Sequence, residues 1–299
     1  MNPGVRVGLF VALLAVIFAG AVLVGGAVDP DVGGSDDGGH HAAAPAADHA
    51  DRHAGDHAAE AATGEADAGA AGAAPAAPAG VASAQDGLRL VASRTRFAAG
   101  RPAPLRFRIV DAGGDTVRAF DVEQARRMHI IVVRRDLRRY QHLHPTQGGD
   151  GAWTTPLTLP EAGVYRAFAD FSSAGKRRTL GIDLFAAGRF EPLELPPATS
   201  VAHVDGYDVT LRQRDASVLS FSVRRRGRAV VDLQPYLGSR GHLVMLRAGD
   251  LAYSHVHPLD EPGLSFHSGA GEPGSYRLFL QFRHRGRVHT AAFTRIVTP

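Results

Sequence analysis

Two stretches of the chain each place three histidines at a spacing that could hold a metal ion. His129, His142 and His144 occupy positions 1, 14 and 16 of a seventeen-residue segment closed by Pro145. His242, His255 and His257 occupy the same positions of a second segment closed by Pro258. Arg134 matches Arg247, Tyr140 matches Tyr253, and the four residues after the first histidine are apolar in both copies. Neutral imidazole suits Zn(II), Cu(II) and Ni(II), and copper(II) binds most tightly in the divalent series. Each triple is therefore a candidate site for copper(II) or zinc. The chain has no cysteine, which excludes thiolate sites, disulfides, a cysteine nucleophile and a blue-copper centre. Met128 precedes His129, but Gly241 stands there in the second copy, so a thioether copper(I) site is not repeated. Water, a group from the other domain, or a carboxylate such as Asp170 could be the fourth ligand; Gln281 occupies the position matching Asp170. The competing reading is structural: histidines at strand ends cap loop carbonyls, and the prolines mark where pairing stops.

Each segment reads as a β-hairpin, with an apolar run, a polar turn and a second extended run ended by proline. A two-residue loop at Arg135-Asp136 sets His129 opposite His142, and one at Ala248-Gly249 sets His242 opposite His255. A register moved by two sets the first histidine opposite the third instead. Side chains alternate faces with period two, so the histidines of His-x-His share a face and the cross-strand histidine joins them. Three imidazoles then converge at the open end of each hairpin. Tyr140 and Tyr253 fall on that same face, as core packing or as outer hydrogen-bond donors.

Around the first hairpin, short apolar runs are separated by Gly, Pro and Asp. Strands are predicted at residues 88–93, 105–110, 117–120, 129–144 (the hairpin), 152–159, 163–171 and 179–185. Many short strands without helical periodicity are the signature of a β-sandwich. The second half repeats the scheme. Glu161-x-Gly163-x-Tyr165-Arg166-x-Phe168-x-x-Phe171 returns as Glu272-x-Gly274-x-Tyr276-Arg277-x-Phe279-x-x-Phe282, and Trp153 and Phe266 both lie nine residues after the last histidine. This is a duplication. The expected fold is all-β: two tandem immunoglobulin-like or cupredoxin-like β-sandwiches at residues 87–187 and 201–299, joined by a proline-bearing linker at 188–200.

The amino-terminal third is of another kind. Residues 8 to 28 are an uncharged run of 21 residues preceded by Arg6, long enough to span a bilayer. Residues 1–28 thus read as a signal anchor or a signal peptide, and the charge bias places the rest outside the cytoplasm. Residues 29–86 are rich in Ala, Gly, Asp and His and poor in large apolar residues, so they are expected to form a disordered tether. His49, His53 and His57 within it, each near an aspartate, could collect metal weakly or be incidental. The tether carries a net charge of −10, while residues 87–299 hold 31 basic and 19 acidic residues, a net of +12. Such a basic body is drawn to anionic lipid or envelope polymer. Nucleic acid is not expected as a partner outside the cytoplasm. Arg224-Arg225-Arg226-Gly227-Arg228 and the segment from Arg283 to His289 read as solvated basic turns. No Gly-x-Ser-x-Gly elbow, phosphate-cradling loop or dinucleotide fingerprint occurs, so an enzyme is not expected; the weaker alternative, a zinc-dependent hydrolase, needs an open cleft and a carboxylate within reach of a bound water.

The runs Met128-His-Ile-Ile-Val-Val with Tyr140-Gln-His-Leu-His-Pro, and Pro235-Tyr-Leu-Gly-Ser-Arg-Gly-His-Leu-Val with His255-Val-His-Pro, resemble a largely uncharacterised family. Its members are exported or membrane-anchored proteins of high-GC bacteria with His-x-His-Pro motifs, sometimes labelled secreted or heavy-metal-binding. The likeness covers about residues 88–299 and implies export, the sandwich fold and metal handling. The expected function is capture, buffering or hand-off of copper(II) or zinc at the cell envelope, with one three-histidine site per domain. The alternative is a non-catalytic immunoglobulin-like module that binds an envelope polymer or a protein partner and uses its histidines structurally.

Overall fold

The computed structural model describes residues 78–215, 217–254, 256–259, 263–268 and 272–298. The expected anchor, most of the tether and His255 lie outside them. Among the described residues every regular element is a strand, and no helix is long and apolar enough to cross a membrane. The first domain contains β1 (Ala84–Gln85), β2 (Leu88–Ala92), β3 (Arg96–Phe97), β4 (Ala103–Val110), β5 (His129–Arg134), β6 (Gln141–Leu143), β7 (Thr146–Gln147), β8 (Trp153–Leu157), β9 (Gly163–Ser173) and β10 (Lys176–Ala186). The second contains β11 (Val201–Val204), β12 (Tyr207–Gln213), β13 (Val218–Arg225), β14 (Arg228–Ala229), β15 (Gly241–Arg247), β16 (Tyr253–Ser254), β17 (His257–Pro258), β18 (Leu264–His267), β19 (Gly274–His284) and β20 (Arg287–Val297).

Each domain is a sandwich of two sheets. Sheet orders are β1-β2-β4-β8-β7 and β3-β10-β9-β5-β6 in the first, and β11-β12-β13-β18-β17 and β16-β15-β19-β20 in the second. Alternation builds the cores: on β4, Leu105, Phe107 and Ile109 are buried, while Arg106 is exposed and Arg108 only half-buried. They join Trp153, Tyr165 and Leu180 in the first core, as Val209, Phe221, Phe266, Tyr276 and Phe293 fill the second. Both Glu-x-Gly-x-Tyr motifs close a tyrosine corner. The Tyr165 hydroxyl donates to Glu161 O at 2.9 Å, and that of Tyr276 to Glu272 O at 2.8 Å.

Strands β5 and β15 differ from the alternating pattern because both their faces are covered. Ile130 and Val132 enter the first core, and Ile131 and Val133 point the other way. There they meet Val244, Leu246, Leu251, Tyr253 and Phe279 of the second domain in a third apolar cluster. A continuous apolar run is what a doubly covered strand requires. The contact pairs matched residues crosswise. Tyr140 stacks on Phe279 with centroids 4.1 Å apart, and its counterpart Tyr253 meets Phe168, the counterpart of Phe279, at 5.6 Å. Each domain thus offers the same patch to the other, as in a two-fold dimer.

Several expectations are corrected. Residues 117–120 form no strand; Phe120 instead plugs the first core edge-on to Trp153 and Phe171. Residues 78–86, read as the end of the tether, are folded: β1 pairs with β2, and the Gly80 carbonyl accepts from the Arg166 guanidinium. Residues 188–200 contain no strand, yet Leu193 N donates to Asp136 and Leu195 packs in the interdomain cluster. The hairpin register is the alternative one. Ile131 pairs with His142, so the first histidine of the first triple comes opposite the third; Met245 pairs with Ser254 in the same register, but His257 lies on β17 in the other sheet. The turn is longer than two residues because Arg134 forks onto the buried Asp136, and Leu137, at φ 60, turns its side chain into the interdomain cluster.

Candidate metal centre

The first triple assembles. One ring nitrogen from each of His129, His142 and His144 lies within 4.8 Å of the others. His129 begins β5, His142 lies on β6 opposite and His144 directly follows that strand, on the face turned toward the second domain. His242, at the same place on β15, turns toward them. Its ring stacks on His142 at 4.6 Å and lies parallel to His129 at 5.8 Å, with an interplanar angle of 10°. Four imidazoles from both domains thus share one spot, where one triple per domain was expected. His257 lies elsewhere, exposed on β17 opposite His267, and His255 lies outside the described residues. Among the described residues no second group of three ligands forms.

The outer hydrogen bonds fix where each proton sits. His129 Nε2 contacts Glu123 O at 3.2 Å, and a carbonyl only accepts, so the N–H is at Nε2. His142 Nδ1 contacts Gln281 Oε1 at 2.7 Å, which puts its N–H at Nδ1. Gln281 is held in turn, its amide nitrogen donating to Thr290 Oγ1 at 3.2 Å and the Tyr236 hydroxyl donating to its oxygen at 3.3 Å. Each neutral imidazole has one N–H, and both are spent outward. His129 Nδ1 and His142 Nε2 then face each other at 3.0 Å with two lone pairs. A proton between them is disfavoured: burial lowers the pKa of His129, and burial together with the neighbouring imidazoles holds His142 well below the usual range. Burial also takes His144 down to about 4, and its Nε2 is enclosed without a hydrogen-bond partner among the described residues.

This donor set fits a divalent ion. Ligand nitrogens about 2.0–2.1 Å from one ion are roughly 2.9 Å apart at adjacent corners of a square and about 3.4 Å apart in a tetrahedron. The facing pair, at 3.0 Å, matches the square case. One ion spans at most roughly 4.2 Å between opposite ligand nitrogens, so a pair at the 4.8 Å limit of the group would have to close slightly to share it.

Asp170 pairs across the sheet with His129 but stands outside the ligand group. It accepts from the Thr179 hydroxyl at 2.9 Å, and desolvation raises its pKa to about 6. Tyr140 acts by packing: its ring stacks on Phe279, and among the described residues its hydroxyl has no partner. The segment from Arg283 to His289 is not wholly solvated, since His284 and His289 are buried against Tyr207 OH and Asp205, each at 2.7 Å. Gln281 and the Glu123 carbonyl are the participants that sequence reasoning did not single out. The match of Gln281 to Asp170 was the available signal for the first; a backbone carbonyl leaves none.

Fold and site together define a tandem immunoglobulin-like β-sandwich protein with a histidine cluster at its domain contact. The chain belongs to the family described as Domain of unknown function (DUF8832), whose pattern matches it twice, over residues 82–188 and 202–299. A search of curated proteins found no match. Among solved structures, the Escherichia coli adhesin FdeC is similar at 12% identity and a TM-score of 0.24, over 71% of this chain and 64% of that one. Invasin, a bacterial integrin-binding protein, is similar at 16% identity and a TM-score of 0.25, over 66% of this chain and 37% of that one. Salmonella alpha-2-macroglobulin is similar at 14% and 0.27, over 74% and 15%. Likenesses this low carry no functional argument.

Proposed function

We propose that this chain is an extracytoplasmic, non-catalytic metal-binding protein that captures, buffers or hands off copper(II) or zinc at the cell envelope. His129, His142 and His144 hold the ion, with His242 packed over them and Gln281 orienting His142 from the second domain. One observation carries the reading: two neutral imidazole nitrogens face each other at 3.0 Å after their only protons are committed elsewhere. A divalent ion turns that repulsion into two bonds. The spacing favours copper(II), which prefers tetragonal nitrogen sites. Placement at the envelope rests on the apolar run at residues 8–28 and the charge bias around it. The acidic tether, with His49, His53 and His57, is assigned a weak collecting role.

The test is titration of the full-length protein in detergent with copper(II) and with zinc against a competing chelator. One tight ion per chain is expected, with nitrogen hyperfine structure in the copper EPR spectrum. His144→Gln removes a ligand whose Nε2 makes no hydrogen bond, so it weakens the tight component at least tenfold without unfolding the protein. Tight uptake that survives in both His144→Gln and His129→Gln would reject the site.

A further inference from the structure

Two hairpin tips of the second domain carry nearly the same sequence. Arg224-Arg225-Arg226-Gly227-Arg228 joins β13 to β14, and Arg283-His284-Arg285-Gly286-Arg287 joins β19 to β20. The backbones turn alike, with φ 51 and 76 at Arg226 and Gly227, and φ 50 and 77 at Arg285 and Gly286. The tips meet around a cavity of about 600 Å³ whose lining includes Arg225, Arg226, Arg228, Arg285, Asp232 and His284. None of these residues belongs to the histidine cluster.

The charges around this cavity do not balance. Asp232 is the only acidic residue of the lining, and it faces His284 Nε2 at 3.2 Å. His284 is itself buried and held by the Tyr207 hydroxyl, giving the cavity a fixed wall. The Arg225 guanidinium lies over the Tyr207 ring at 5.2 Å, which aims it without neutralising it. Among the described residues no carboxylate pairs with any of the four arginines. Four guanidinium groups around one concavity repel one another unless an anion sits among them. A carboxylate offers two oxygens, enough for one guanidinium fork, whereas a phosphate group offers oxygens to several at once.

We infer that this cavity binds a phosphate group, either free or carried by a lipid headgroup. The full-length protein in detergent, in metal-free buffer, is titrated in one arm with pyrophosphate and in a second with phosphatidylglycerol added to the micelles. Saturable binding near one per chain is expected in at least one arm; pyrophosphate binding identifies soluble phosphate, and binding in the lipid arm alone identifies the headgroup. Arg226→Gln with Arg285→Gln, both at exposed turn positions, weakens that binding at least tenfold. Arg89→Gln with Arg101→Gln removes the same charge from exposed positions of the first domain and leaves binding unchanged. Absence of saturable binding in both arms, or equal loss in the two double variants, overturns the assignment.

Discussion

Replacing Gln281 with leucine leaves all the histidines in place and removes the acceptor that the second domain lends to His142. His142 is then free to carry its proton on Nε2 and donate it to His129 Nδ1 across the 3.0 Å gap. An ordinary hydrogen bond closes the space that the ion uses. Outer partners of metal-bound imidazoles are typically worth about 10–100-fold in affinity, or roughly 1.4–2.7 kcal/mol. The metal-free protein also loses the bonds of Gln281 to Tyr236 and Thr290, each worth about 1 kcal/mol, and recovers one at the His142–His129 contact. It is expected to be about 1–2 kcal/mol less stable. Metal at a hundred times its Kd stabilises the wild-type protein by about 2.7 kcal/mol. A hundredfold loss of affinity removes most of that, cutting the metal-induced rise in Tm by about 5–10 °C. Calorimetric scans with and without copper(II) or zinc measure the difference directly. Gln281→Glu is the control, because a carboxylate can only accept and so keeps the His142 tautomer and the affinity. Wild-type affinity in the leucine variant, or equal loss in both variants, refutes the reasoning.

Phe279→Ala opens the interdomain cluster where Tyr140 stacks, and it is expected to cost about 3–5 kcal/mol in urea denaturation and to weaken metal uptake as well. A loss below about 1 kcal/mol would contradict a packed contact. The metal-free protein should become less stable as pH falls from about 6.5 toward 4, because the unfolded chain protonates histidines that the folded chain holds neutral, His144 down to about 4. Asp170 acts with the opposite sign, protonating in the folded chain from about pH 6 and so gaining stability as pH falls through that range. Three histidines outweigh one carboxyl, giving a net loss on the order of 1 kcal/mol after solvent screening. Urea midpoints at pH 7 and pH 5 check the sign, and a higher midpoint at pH 5 refutes it.

The hairpins, the shared histidine face and the duplication were legible because period-two alternation and a gap-free repeat are local properties of a chain. The register was not, since it depends on how Arg134 folds onto Asp136 and where Leu137 buries its side chain. Nor did the pattern reveal that the histidine face is the outer face of each sandwich. A clue was present: Ile130 to Val133 are all apolar, as a strand covered on both sides demands. What covers the second side is the other domain, and no motif announces a contact between two copies of the same patch. His242, expected to serve a second triple, stacks its ring on His142 of the first.

A metal ion held by the cluster at this contact would tie its binding to domain docking. The rings of His129 and His242 lie parallel at matched positions of the two copies, so each domain brings its own histidine to the shared centre. Gln281 reaches across to orient His142, and its counterpart Asp170 accepts from the Thr179 hydroxyl. The amide oxygen at that position accepts the hydrogen bond of neutral His142 and so fixes its tautomer. Separation of the domains would release the His142 tautomer and weaken the site, so by linkage an ion bound there must hold the domains together by the same free energy.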